Sequence, residues 1–168
     1  MTQRQRRIVL VMPACAADVF EAFHNHTVRK QWDTLLAHAA VEGGGNHPYI
    51  GAITINVGRG WKRLFAMRTR FVNYRPAKVA AAVLVEPAGC FHWWAASMRH
   101  RDIDLQSSEL AYTFSVQLRP RWLGRMLDPL VNRVFEWETR NRFTAMEAYL
   151  RIRAGGPKLG SLSIVATA

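Results

Sequence analysis

The stretch that most constrains this chain is residues 120–153, PRWLGRMLDPLVNRVFEWETRNRFTAMEAYLRIR. Apolar residues recur at Leu123, Met126, Leu127, Leu130, Val131, Val134, Phe135 and Trp137, then at Phe143, Met146, Tyr149 and Leu150. Gaps of three and four place one apolar stripe along a helix. Glu136 with Arg140 and Glu138 with Arg142 form acid-first pairs four residues apart, which support helix. Gly155, Gly156 and Pro157 supply the stop. About 30 residues at ~1.5 Å each make a rod of roughly 45 Å. Such a rod cannot leave its stripe in water, so the remaining chain has to furnish an apolar surface of matching length.

The preceding residues read mostly as strands. Residues 8–12 are β-branched and apolar, and Pro13 ends them. Residues 15–24 fit a short helix with Ala16, Val19, Phe20 and Phe23 on one face. A second short helix is expected from an N-cap at Thr27 to about Trp32 or Asp33. Residues 36–42 fit a strand, and 43–48, GGGNHP, a loop. Residues 52–57 alternate, with Ile53, Ile55 and Val57 on one side and Thr54 and Asn56 on the other. Gly58-Arg59-Gly60 signals a hairpin turn. Residues 61–74 alternate again, Phe65, Met67, Thr69 and Phe71 opposing Arg68 and Arg70, so the Phe and Met face is the buried one. Residues 78–85 place Val79, Ala81, Val83 and Val85 together, and 91–101 are apolar on both faces. Residues 110–118 set Leu110, Tyr112, Phe114, Val116 and Leu118 against Thr113, Ser115 and Gln117. Short turns between consecutive strands imply antiparallel pairing. The fold class is α+β: a curved seven-stranded antiparallel sheet, two short helices after its first strand, and the C-terminal helix gripped by the sheet.

A length of 168 residues suits one domain, assigned to 6–153 with a tail at 154–168. The tail is a candidate for adding a strand to a sheet edge. No run reaches a membrane span. Three arginines before residues 8–12 imitate a signal peptide, but that apolar run is too short, which leaves a cytoplasmic expectation. Cys15 and Cys90 show no metal or redox spacing and read as buried free thiols. The net charge of +11 favours anionic partners. Residues 59–75 hold six basic residues and no acid, a candidate basic face toward an anionic surface. Nucleic acid is disfavoured, because alternation sets Phe65 on the face opposite Arg68 and Arg70.

Val11-x-Pro13, Val19-Phe20 and Trp32, with Leu110-Ala-Tyr112-Thr-Phe114, Pro120-Arg-Trp-Leu123-Gly124 and Arg142-Phe143-x-Ala145-x-x-x-Tyr149-Leu150, resemble the START-like (SRPBCC, helix-grip) superfamily. The resemblance covers about residues 6–153 and is nearest to the bacterial polyketide cyclase branch. These are packing residues, so they carry a fold rather than a reaction. The resemblance implies a cavity between sheet and helix that holds a lipid, quinone or polyketide-like molecule. It also keeps open a cyclase or dehydratase reaction in the same cavity, and a macromolecule- or membrane-associated role of the coenzyme-Q-binding or ribosome-associated kind.

On that basis the expected lining is Phe65, Met67, Thr69, Phe71, Trp94, Met98, Tyr112 and Phe114, with Val134, Trp137, Glu138 and Asn141 from the helix middle. Leu127, Leu130, Met146 and Leu150 would seal the helix ends. His92 and Tyr112 are the candidates for moving protons. His24 and His26, two apart at a helix end, read as a loop pair without a third ligand, and no metal or cofactor is expected. Gly43-Gly44-Gly45 and Gly58-Arg59-Gly60 read as turns rather than phosphate loops.

Overall fold

A computed structural model describes residues 5–60 and 66–155, with the backbone alone for 121–126 and 128. Strands β1 (Arg6–Met12), β2 (Leu36–Val41), β3 (Ile53–Gly58), β4 (Met67–Arg75), β5 (Val79–Leu84), β6 (Phe91–Asp102) and β7 (Ser108–Leu118) form one antiparallel sheet. Its order is β1-β7-β6-β5-β4-β3-β2. Helices α1 (Ala16–His24) and α2 (His26–Trp32) follow β1, and α3 (Arg121–Gly155) closes the chain. The expected architecture is present, a sheet curved around α3. Residues 156–168, which carry most of the expected tail, lie outside the described residues, as does Phe65.

The helix starts differ from expectation in one place. Asn25, not Thr27, caps α2: its Oδ1 accepts from the Thr27 and Val28 amides at 2.9 and 3.2 Å. One side chain thus satisfies two first-turn donors. Thr27 instead donates its hydroxyl to Asn46 at 3.0 Å. Helix α3 continues through Pro129, which removes a backbone donor from the helix interior.

The core lies where α3 meets β7, β1 and the two short helices. Ile8, Met12, Val19, Trp32, Met98, Leu110, Phe114, Phe143, Met146 and Leu150 are all buried there. Phe143 packs edge-on to Tyr112 at 5.5 Å, and Phe135 lies 4.9 Å from Phe114. Arg6 on β1 reaches Glu136 on α3 at 3.0 Å, and Tyr149 donates to Gln31 on α2 at 3.1 Å.

The structure settles which faces of β3 and β5 look inward, and on α3 it differs from expectation. On β3 the buried side is Thr54, 1% exposed, while Ile53, Ile55 and Val57 lie half-buried on the convex face. On β5 the buried side is Ala80, Ala82 and Leu84, while Val79, Ala81 and Val83 face outward. On α3, Val134, Trp137 and Asn141 turn toward solvent, with Trp137 62% exposed, as do Leu127 and Leu130. The α3 stripe is wider than the surface it meets, so its outer flank stays wet. Met146 and Leu150 do seal the C-terminal end.

His24 and His26 are buried in α1 and α2, not loop residues. Of the two free cysteines, Cys90 is exposed, contrary to the buried-thiol reading. Cys15 is half-buried and donates to Asp18 at 3.3 Å. No helix among the described residues is long and apolar enough to cross a membrane.

Candidate functional site

The concave face away from the core is lined by small side chains. Ala39 on β2, Ala52 before β3, and Ala80 and Ala82 on β5 are all buried. Their small side chains take up less volume on this face than larger apolar residues would. Met67, Thr69 and Phe71 of β4 and Trp94 of β6 share this face with them, in register with its strand neighbours.

Polar groups sit within this apolar lining. The Thr54 and Thr69 hydroxyls, paired across β3 and β4, lie 2.9 Å apart, buried. Asn56 Nδ2 donates to Thr54 Oγ1 at 3.4 Å. Its Oδ1 is buried with no protein partner, and so is the Trp94 indole Nε1–H. Buried polar atoms are seldom left so, because an unmade hydrogen bond costs about 1–3 kcal/mol. One is an acceptor and the other a donor.

A second polar cluster ties α2 to α3. The Asp33 carboxylate is fully buried, 3.0 Å from Arg29 Nε and 3.3 Å from Arg142 Nε. The Arg29 contact is a hydrogen bond. The Arg142 contact is an ion pair without hydrogen-bond alignment, since that Nε finds no hydrogen-bond partner. The Arg29 guanidinium also lies 4.2 Å above the Phe23 ring. Burial pulls Arg29 down to about 10, against the opposing pull of Asp33. Burial pushes the neighbouring Tyr112 phenol up to about 12, although Arg142 and Arg29 act the other way. Tyr112 is therefore a neutral hydrogen-bonding group at neutral pH, not a base.

A third cluster lies under α1. His24 packs on Phe20 at 4.3 Å and against Phe71 and Tyr74 at 5.9 and 5.7 Å. His100 meets Phe20 edge-on at 5.3 Å. Burial drives the His24 ring well below its usual pKa and the His100 ring down to about 4. Both are neutral packing elements near pH 7. No group of three or more metal-ligating side chains occurs among the described residues.

The expected lining residues fall into three sets. Met67, Thr69 and Phe71 lie on the concave face of β4, Phe71 against His24 and Tyr74; Trp94 packs at the edge of the core, and Met98, Tyr112 and Phe114 belong to it. Val134, Trp137 and Asn141 point away, and Glu138 is half-buried. His92 is exposed beside a register shift between Phe91 and Trp93, apart from Tyr112. Thr69 is in the expected lining, but Asn56 and Thr54 are not, because the alternation of β3 does not say which of its faces looks inward. Sequence reasoning missed Asp33 because a lone acid between helices carries no motif.

No family model and no curated protein matches the sequence. Solved structures do match in shape. The di-domain aromatase/cyclase BexL from the BE-7585A biosynthetic pathway superposes with a TM-score of 0.73 at 7% identity. That match covers 91% of this chain and 48% of BexL, so this chain spans about half the length of that protein. The Zhui aromatase/cyclase from Streptomyces sp. R1128 gives 0.72 at 17% identity over 92% of this chain and 99% of that one. A START superfamily protein from Mycobacterium smegmatis gives 0.67 at 11% identity, covering 87% and 98%. The fold is the helix-grip fold. Likeness at such identities carries the fold and no activity.

Proposed function

We propose that this protein binds an apolar small molecule with a hydrogen-bonding end, of the lipid, quinone or polyketide class, between the concave sheet and α3. The observation that carries this is a buried donor, Trp94 Nε1–H on β6, and a buried acceptor, Asn56 Oδ1 on β3, both without protein partners and three strand spacings apart, about 14 Å, on the alanine-lined face. A ligand carbonyl satisfies the Trp94 indole, and a ligand donor at a matching distance satisfies Asn56; apolar walls with a few placed polar groups are the usual form of a small-molecule site. The fold shared with two aromatase/cyclases and a START protein supports a hydrophobic cargo.

Ring-closing catalysis is less well supported. It needs a group that takes up a proton near neutral pH. Tyr112 holds its proton to about 12, His24 and His100 resist protonation, and His92 faces solvent. Carriage without chemistry fits these groups better.

The test is calorimetric titration with 1,8-dihydroxyanthraquinone, a flat ligand with carbonyl and phenol groups, and with palmitate. Binding of the anthraquinone is expected to weaken about two- to tenfold in Trp94→Phe, the worth of one neutral hydrogen bond. If neither probe binds and native mass spectrometry finds no co-purified small molecule, the reading fails.

A further inference from the structure

The convex face carries a feature that the cavity does not use. A groove of about 440 Å³ opens among Arg7 on β1, Arg99 and Arg101 on β6, and Arg75 and Lys78 at the β4–β5 turn. Its lining holds five cations and one acid, Glu109, which pairs with Arg101 at 3.2 Å. Ala111 and Val79 form an apolar part of the lining. Arg7 and Arg75 lie four strand spacings apart, about 19 Å across the sheet.

Beside this groove sits an exposed apolar corner. Val9 and Val11 of β1 pair with Ala111 and Glu109, both lining residues, and are 46% and 62% exposed. The β6–β7 hairpin adds Ile103 at 53% and Leu105 at 96% exposure. Two acids, Asp102 and Asp104, lie at this corner and accept hydrogen bonds, which favour the charged form of Asp104. Asp102 accepts from the Ala16 amide at 2.6 Å, and Asp104 accepts from Gln106 and Ser107 at 2.8 and 2.7 Å.

We propose that this corner docks on anionic phospholipid surfaces, the basic groove seating phosphate headgroups while Leu105 and Ile103 enter the interfacial layer. Cations flanking exposed aliphatic side chains match the two layers of an anionic bilayer surface, charge outside and hydrocarbon beneath. Single-stranded nucleic acid fits less well, because the groove lining holds no aromatic platform for bases. A second copy in a two-fold contact fits poorly too, because the same five cations would face one another. The proposal stands apart from the cavity reading: either can fail alone.

The test is co-sedimentation of the full chain with vesicles of phosphatidylcholine, with and without phosphatidylserine. Partition is expected only with phosphatidylserine and is expected to fall steeply between about 0.1 and 1 M salt. Each neutralised cation is expected to cost about fivefold, so Arg75→Gln with Arg99→Gln loses roughly 25-fold. Leu105→Ala is expected to lose roughly tenfold. Because Leu105 is almost wholly exposed, that variant stays informative even if the arginine pair alters folding. No partition with phosphatidylserine at low salt overturns the proposal, as does partition that neither variant weakens. Binding of an RNA oligomer through the same arginines without vesicle binding, or dimerisation at this corner without it, also overturns it.

Discussion

Replacing Asp33 by Ala is the sharpest test of how the two ends of the grip are joined. The Asp33 carboxylate is fully buried and holds Arg29 at 3.0 Å and Arg142 at 3.3 Å. Removing it leaves two guanidinium groups facing each other in a low-dielectric pocket. Arg29, already drawn down to about 10 by burial, would lose the partner that opposes that shift. Breaking a buried pair on one side costs about 3–5 kcal/mol. For a domain of this size, ~1 kcal/mol moves the melting temperature by about 2–4 °C, so a fall of roughly 6–20 °C is expected. Asp33→Asn keeps the shape and loses the charge, so it separates electrostatics from packing. Calorimetric or circular-dichroism melts at neutral pH give the readout. A loss below about 1 kcal/mol, the range of an exposed pair, would refute the reasoning.

Acid stability follows from the histidines. His26 and His100 are pushed down to about 4, and His24 well below its usual value, all chiefly by burial. The unfolded chain takes up these protons near 6.5, the folded one only near 4 or below, so stability is full above about pH 6.5 and falls toward pH 4. His100 alone contributes a slope of up to about 1.4 kcal/mol per pH unit across that window. A melting temperature flat from pH 7 to pH 4.5 would contradict this. Asn25→Ala removes the double cap of α2 and is expected to cost about 1 kcal/mol in thermal melts. Arg68→Gln is expected to leave vesicle partition unchanged, because Arg68 is held by Glu42 at 2.7 and 3.0 Å and by Glu86 at 3.0 Å; weakened partition would place the docking face elsewhere.

The order of elements was legible because strand alternation and the long helical stripe have different periods. Which face looks inward was legible on β4, where one face was charged, and on β7, where Leu110, Tyr112 and Phe114 are buried. On β4 the arginines marked the outside, and Met67, Thr69 and Phe71 do face the concave side. On β3 and β5 the larger aliphatic residues lie outside, where neighbouring long side chains half-cover them. The concave face instead takes Thr54, Ala80 and Ala82. On α3 hydrophobicity alone cannot separate Phe135, which meets Phe114, from Trp137, which meets solvent. The basic face shows the same limit: Arg68 is neutralised by acids 26 residues before it and 18 after it, which only the folded sheet brings together.

The most direct test of the ligand reading is the indole N–H resonance of Trp94, assigned as the signal that disappears in Trp94→Phe and followed while 1,8-dihydroxyanthraquinone is added to ¹⁵N-labelled protein. A donor that gains a carbonyl partner on binding is expected to move downfield and to saturate with the calorimetric titration. A bound ligand that leaves this resonance in place would contradict the assignment of Trp94 as a hydrogen-bond donor to the ligand.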